Sequence, residues 1–200
     1  MVTKGYTQQE GIDYNEVFSP IVMHLSIRIL LALVAQYELE LDQFNVQTAF
    51  LHDDLEEEIY MSQPTGFKTA RKENMICKLK KSLYELKQSP RQWYKHFDSF
   101  IRGKRYTWSH YDPYVYYNKL TGGEYIYLLL YMDNMLIASK SRSAIDKLKD
   151  LSSEFEIKDL HEAKKVPGME IERDRKEARF ISYKKSIWRS YFRNSTSTVT

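Results

Sequence analysis

The chain has 200 residues, 42% hydrophobic and 28% charged, which supplies enough apolar material for a buried core and excludes a fibrous or disordered protein. A net charge of +3 permits a polyanionic partner without requiring one, and a single cysteine, Cys77, excludes an intrachain disulfide framework. The longest apolar run, residues 29–35, is too short to cross a membrane, and residues 1–9 lack the apolar core of a signal peptide. We therefore expect an intracellular protein, cytoplasmic or nuclear, that is not secreted and has no membrane partner.

Hydrophobic periodicity predicts both helices and strands in the first half of the chain. Residues 26–37 carry apolar side chains at helical spacing behind Ser26, which can cap the helix. Residues 39–50 show the period-two pattern of a strand with a polar end. Residues 76–82 alternate apolar residues with lysines, which predicts a strand exposing lysines on one side, and the acidic stretch 53–58 is interpreted as a solvated face.

The second half begins with a helix signal at Ser89-Pro90, a capping hydroxyl followed by a proline suited to the first helical turn. The apolar residues of this helix fall on one face: Trp93, Phe97, Phe100 and Ile101. Residues 125–132 and 135–139, joined through Asp133-Asn134, predict a buried β-hairpin. A helix from Ser143 and a second hairpin, 169–173 with 178–183, follow. The predicted fold class is α/β in the broad sense (α+β), an antiparallel sheet with a buried hairpin and packed helices.

Four motifs, in their order and spacing, carry a resemblance to a known family: Lys4-Gly5-Tyr6-Thr7-Gln8, Phe18-Ser19-Pro20, LYELKQSPRQWY at 83–94, and Tyr131-Met132-Asp133-Asn134. Together they resemble the reverse transcriptase of Ty1/copia-type LTR retrotransposons, the RNA-directed DNA polymerase domain of the Pol polyprotein. The resemblance covers residues 1–185 and implies a polymerase palm with partial fingers. Residues 186–200 form a divergent tail that we expect to be disordered. The resemblance also implies a truncated and degenerate copy, since the family's further fingers segment would precede Val2 and its thumb, RNase H and integrase parts would follow Tyr183.

By this resemblance, the family's catalytic centre holds two Mg²⁺ ions on three aspartates and adds dNTPs to a primer on an RNA or DNA template. Asp133 matches one of these metal ligands, whereas Asn45 and Asn134 stand where the family has Asp. An amide carries no formal charge, so we expect weak binding of Mg²⁺ at Asp133 and polymerase activity at or near zero. Asp42 does not substitute, because its odd spacing from Asn45 places it on the opposite face of the strand.

Other family positions are intact by the same resemblance. Phe50 matches the aromatic residue that closes against the sugar 2′ position, and Gln88 and Arg91 match the loop and helix start that contact template and incoming nucleotide. Four lysines could follow the nucleic-acid backbone: Lys78, Lys80, Lys81 and Lys87. Glu85 stands where the family has glycine, and we expect its Cβ to reduce stability.

Each of these residues also has a simpler interpretation. Asp133-Asn134 is a good hairpin turn, Phe50 a core aromatic, and lysines on a strand usually form a solvated face. Three functional hypotheses therefore stay open: an inactive reverse transcriptase domain, a non-catalytic nucleic-acid-binding remnant that holds primer and template through residues 78–91, and a folded relic without a biochemical role. Salt-dependent binding without nucleotide incorporation would mark the second hypothesis. The sequence makes no prediction of oligomeric state.

Overall fold

The structure, a computed structural model, describes residues 5–12, 14, 22–51, 54–64, 66–67, 74–148, 151, 154–166, 169–174 and 179–183. The helices in these ranges are α1 (His24–Gln36), α2 (Ser89–Gly103) and α3 (Arg142–Leu148). The strands are β1 (Glu40–Val46), β2 (Tyr60–Ser62), β3 (Ile76–Lys78), β4 (Thr107–Trp108), β5 (Val115–Lys119), β6 (Tyr125–Tyr131), β7 (Asn134–Ser139), β8 (Ile157–Glu162), β9 (Lys165–Val166), β10 (Met169–Asp174) and β11 (Arg179–Tyr183). The predicted tail, 186–200, and the Phe18-Ser19-Pro20 motif lie outside the described residues.

Six strands form one antiparallel sheet in the order β4-β5-β6-β7-β1-β8. The predicted buried hairpin is β6 with β7, which pair from Ile126 opposite Ser139 to Tyr131 opposite Asn134. Strand β1, early in the chain, lies between β7 and β8. A smaller sheet, β11-β10-β9, contains the second predicted hairpin, and β2 pairs with β3. The predicted mixed class with an antiparallel sheet and a buried hairpin is confirmed.

Apolar side chains cover both faces of the central strands, and each face packs against helices. On one face, α2 and α3 pack against the sheet through a core that includes Trp93, Phe97, Ile101, Ile145, Leu148, Phe44, Val46, Leu128, Leu130, Met135 and Ile137. On the other, α1 contributes to a core that includes Ile27, Leu30, Leu31, Val34, Leu41, Leu129, Leu136 and Ala138. Successive residues of β6 and β7 alternate between the two cores, as side chains on a strand must. Within the described residues, no helix has the length and apolarity needed to span a membrane.

The start of α1 is stabilised from a distant part of the chain. The predicted cap, Ser26, is wrong: the helix begins at His24, and no side chain caps Met23, the residue before it. Instead the buried carboxylate of Asp112 accepts hydrogen bonds from the Met23 amide at 3.0 Å and from the Ser26 hydroxyl at 2.6 Å. An anion at a helix N-terminus satisfies free N–H groups and complements the helix dipole.

The other two helix starts differ from prediction by one or two residues. Ser89 is the first residue of α2 rather than its cap, and its hydroxyl donates to the Leu83 carbonyl at 2.7 Å. Helix α3 begins at Arg142, and the hydroxyl of Ser141, not that of Ser143, accepts the Ala144 amide at 3.3 Å. The predicted apolar face of α2 is confirmed, since Trp93, Phe97 and Ile101 are buried.

Two predicted strands are shorter than expected. Strand β1 ends at Val46, and residues 47–50 turn, so Phe50 follows the strand instead of ending it. Strand β3 covers only Ile76–Lys78, and Ile76 is 63% exposed. Lys78 is exposed as predicted, but Ile76 lies on the same exposed face of β3, so this face is not formed by lysines alone.

Candidate catalytic site

Strand pairing brings together the three residues predicted to form the catalytic centre. Asn45 on β1 lies directly opposite Asn134 on β7, and Asp133 lies in the turn that joins β6 to β7. The turn consists of Met132 and Asp133, so the predicted Asp133-Asn134 turn is wrong by one residue. Asn134 instead pairs with Tyr131 in the strand ladder, and Met132 takes a positive φ of 53°.

Two hydrogen bonds hold this turn in place. The backbone amide of Val46 donates to the Asp133 carbonyl at 2.7 Å, which ties the turn to the end of β1. The indole Nε1 of Trp93, a buried residue of α2, donates to the Met132 carbonyl at 3.0 Å. The backbone of the turn that carries Asp133 is thus held by both β1 and α2.

The side chains of the centre form a hydrogen-bonded cluster around one carboxylate. Asn45 Nδ2 donates to Asp133 Oδ2 at 3.1 Å, and Asn134 Nδ2 donates to Asp133 Oδ1 at 2.8 Å. Asn45 Nδ2 also lies 3.4 Å from Asn134 Oδ1, which accepts from Gln43 Nε2 at 3.3 Å. Both carboxylate oxygens therefore accept amide donors, and hydrogen bonds to an ionised carboxylate are stronger than those between neutral groups.

This cluster does not fit a pair of Mg²⁺ ions. Mg²⁺ binds hard, negatively charged oxygens, and here a single carboxylate stands among amides whose N–H₂ groups occupy its oxygens. Nowhere in the described ranges do three Asp, Glu, His or Cys side chains come together as a metal site. Asp42 is buried and paired with Arg142 of α3 at 2.7 Å, in agreement with the prediction that it does not substitute for Asn45.

Phe50 packs beside the centre against Tyr84. Their ring centroids are 5.6 Å apart and the ring planes are nearly perpendicular, at 89°. The Tyr84 hydroxyl donates to the Gln47 carbonyl at 2.8 Å, and desolvation, with a contribution from the charge of Asp133, raises the pKa of Tyr84. The Phe50 side chain is buried, which fits a core aromatic residue, and its predicted role toward the sugar stays a prediction.

Gln88 and Arg91 lie at the start of α2, where they were predicted. Gln88 is only 2% exposed, and its Oε1 accepts from Gln8 Nε2 at 3.1 Å. Gln8 in turn accepts the Lys87 backbone amide through Oε1 at 2.9 Å. Gln8 and Tyr84 were not predicted as site residues, although both belong to motifs that carry the resemblance.

Two of the four predicted backbone-contacting lysines are engaged with acidic side chains. Lys78 forms an ion pair with Glu58, and Lys81 forms one with Asp54 at 2.6 Å. Lys80 is exposed between them, and Lys87 is half-buried. Contact of these lysines with nucleic acid stays a prediction.

Comparison with known proteins identifies the family. The sequence matches the family described as reverse transcriptase (RNA-dependent DNA polymerase) over residues 1–189. The chain belongs to the reverse transcriptase family. This reverse transcriptase domain is 53% identical over 176 residues to a retrovirus-related Pol polyprotein from transposon TNT 1-94 of Nicotiana tabacum, an alignment covering 88% of the chain and 13% of the relative. It is 36% identical over 174 residues to the Pol polyprotein from transposon RE1 of Arabidopsis thaliana, covering 86% of the chain and 12% of the relative.

A yeast relative extends the similarity beyond plants. The putative transposon Ty5-1 protein of Saccharomyces cerevisiae is 30% identical over 128 residues, which cover 64% of the chain and 41% of that protein. No solved structure matches the reverse transcriptase domain. The copia-type resemblance read from the motifs is confirmed, and the chain spans about an eighth of the first two relatives' length, at 13% and 12%.

Proposed function

We propose that this chain is the palm, with part of the fingers, of a copia-type reverse transcriptase whose catalytic centre no longer supports polymerisation. The observation that carries the proposal is the environment of Asp133, where Asn45 and Asn134 each donate a hydrogen bond to one carboxylate oxygen. A centre that must hold two divalent cations needs several carboxylates in one small volume. The centre of this chain has one carboxylate, that of Asp133, and both of its oxygens already accept hydrogen bonds from amide groups.

Electrostatics gives the reason for the loss of function. With Asp at 45 and 134, the centre would carry three negative charges; with Asn at both positions it carries one. Coulombic attraction for a divalent ion falls accordingly, and the amide N–H₂ groups would have to rotate away before their carbonyl oxygens could face an ion. The predicted partners, a primer on an RNA or DNA template and a dNTP, remain proposals for this chain.

Primer extension tests the proposal directly. The substrate is poly(rA) annealed to oligo(dT), with dTTP and either Mg²⁺ or Mn²⁺, and the proteins are the parent chain and the double variant Asn45→Asp, Asn134→Asp. The matched control is Asn74→Asp, Asn118→Asp, which makes the same charge change at residues outside the centre. We expect extension only by the Asn45, Asn134 variant.

The other outcomes are informative in different ways. Extension by the parent chain would contradict the proposal, because a centre with one carboxylate would then be sufficient. If neither the parent nor the Asn45→Asp, Asn134→Asp variant extends the primer, although circular dichroism shows that both are folded, the two lost carboxylates do not by themselves account for the inactivity.

A second candidate function is nucleic-acid binding without catalysis. The observation that favours it is the run of basic residues on and beside β3, where Lys78, Lys80 and Lys81 all have exposed positions. Binding that weakens steeply with salt and leads to no incorporation would distinguish this function from a folded relic.

A further inference from the structure

The acidic segment 54–58 pairs with basic residues from three separate places in the chain. The ion pairs are Asp54 with Lys81, Glu56 with Lys95 and Glu58 with Lys78. The partners belong to the end of β3, the segment just after it, and the exposed side of α2. The sequence-based interpretation of this acidic segment as a solvated face is therefore incomplete, because alternate acids in it are engaged with lysines.

Backbone contacts hold the acidic segment alongside the lysines. Asp54 forms an antiparallel bridge with Lys81, and Tyr60, just beyond the segment, pairs with Lys78 in the small β2–β3 sheet. The Leu79 amide donates to the Ile59 carbonyl at 2.8 Å. Both ends of the segment are thus fixed against the lysine-bearing strand.

The middle of the segment lies over the first turns of α2. A hydrogen bond from Lys95 is the main cause that lowers the pKa of Glu56, and the charge of Arg91 makes a smaller contribution. Arg91 is the residue predicted by resemblance to contact template or nucleotide. The Glu56 carboxylate therefore stands among the groups that a nucleic-acid phosphate would contact.

These ion pairs are exposed and can be exchanged for others. Side-chain exposure is 52% and 66% for Lys78 and Glu58, and 46% and 54% for Lys95 and Glu56. Exposed ion pairs contribute little to stability and are screened by salt. A polyanion that offers several phosphates at once can compete with them, and it gains in addition from release of its own counterions.

We propose that the acidic side chains of segment 54–58 mask a nucleic-acid-binding surface formed by Lys78, Lys81, Arg91 and Lys95, so that template–primer must displace these carboxylates from the lysines to bind. The identification of template–primer as the partner rests on the proposed function. The masking of the basic side chains by the acidic segment rests on the three ion pairs. The segment acts as an intramolecular competitor for phosphate. Neutralising its acids makes the lysines available without altering any basic residue.

The test compares two variants of equal charge. Asp54→Asn, Glu56→Gln, Glu58→Gln neutralises the masking acids, and Glu10→Gln, Glu38→Gln, Glu124→Gln neutralises three exposed acids elsewhere. Binding of fluorescein-labelled oligo(dT) annealed to poly(rA) is followed by fluorescence anisotropy from about 50 to about 200 mM salt. We expect the first variant to bind about three- to tenfold more tightly than the second at low salt and to lose affinity more steeply as salt rises.

Equal affinity and equal salt dependence of the two variants would overturn the proposal, because the gain would then come from net charge alone. If the triple variant fails to fold, the single variants Glu56→Gln and Glu38→Gln make the same comparison, with a smaller gain expected only for Glu56→Gln. Failure of the masking proposal can be distinguished from failure of the proposed function. The anisotropy measurement needs no catalysis, and primer extension by the parent chain would contradict the proposed loss of polymerisation without contradicting the masking.

Discussion

Gly5 lies so close to the backbone of Glu85 that a Cβ added to Gly5 would stand 1.6 Å from the Glu85 carbonyl oxygen. Glu85 itself has a positive φ of 72°, a conformation that favours glycine. From the sequence we expected the Cβ of Glu85 to reduce stability, because the family has glycine at this position by resemblance. The backbones of residues 5 and 85 do approach closely, but the absence of a Cβ at Gly5 is what permits this contact. The contact joins the first motif of the chain to the 83–94 motif.

Gly5→Ala should therefore be strongly destabilising. The added methyl group cannot be accommodated unless the two backbones separate, so we expect a loss of about 2 kcal/mol in the free energy of unfolding. Denaturant unfolding measures the change. The matched control is Gly122→Ala, where nothing lies within 4 Å of the added Cβ. Equal stability of the two variants would mean that the Gly5–Glu85 contact is not maintained in solution.

Glu85→Gly should stabilise the chain. The change removes the steric cost of a left-handed conformation, and after the entropy cost of glycine we expect a net gain of about 1 kcal/mol. Glu124→Gly is the control: Glu124 is exposed and has no positive φ, so glycine there should give no gain. A lower melting temperature for Glu85→Gly than for the parent would show that the glutamate side chain contributes more than its backbone strain costs.

Asp112→Ala should weaken the attachment of α1 to the sheet. The carboxylate is 1% exposed and accepts the Met23 amide, the Ser26 hydroxyl and the Tyr114 amide, so its removal leaves three donors without their acceptor. We expect a loss of about 3 kcal/mol on unfolding, compared with about 1 kcal/mol for Ser26→Ala, which removes one donor. Thermal unfolding compares the two variants, and a Ser26→Ala loss as large as that of Asp112→Ala would contradict this account of the helix start.

The stability of the centre should become dependent on a divalent cation when carboxylates are introduced at positions 45 and 134. In Asn45→Asp, Asn134→Asp, three carboxylates replace a cluster in which amides donate to Asp133, so in EDTA we expect a lower melting temperature than the parent. Millimolar Mg²⁺ should raise the melting temperature of this variant, because an ion that binds the folded state stabilises it. The parent and the Asn74→Asp, Asn118→Asp control should not respond. A parent chain stabilised by Mg²⁺ would contradict the conclusion that its centre does not fit the ion.

The hydrophobic pattern of the sequence was sufficient to predict the main helices and strands. The apolar faces of α1 and α2 and the paired apolar runs of β6 and β7 are visible as periodicity, because burial on one side of a helix or on both sides of a strand dictates which residues can be apolar. The motifs also determined the family, since their order and spacing are properties of the sequence itself. That Asn45 and Asn134 stand where the family has aspartate is implied by the resemblance alone and stays a prediction.

Tertiary structure decided where hydrogen-bonding groups find their partners. The serine expected to cap α1 donates instead to Asp112, 86 positions away along the chain, and the hairpin turn moves by one residue because Asn134 pairs with Tyr131. The lysines near β3 are engaged by acids from an earlier segment. Which side of a helix or strand is buried is encoded locally, in the periodicity of its apolar residues. The hydrogen-bond partner of a polar or charged group is not, because it depends on which distant segments the fold brings within about 3 Å of that group. Only the assembled sheet and helices determine that distance.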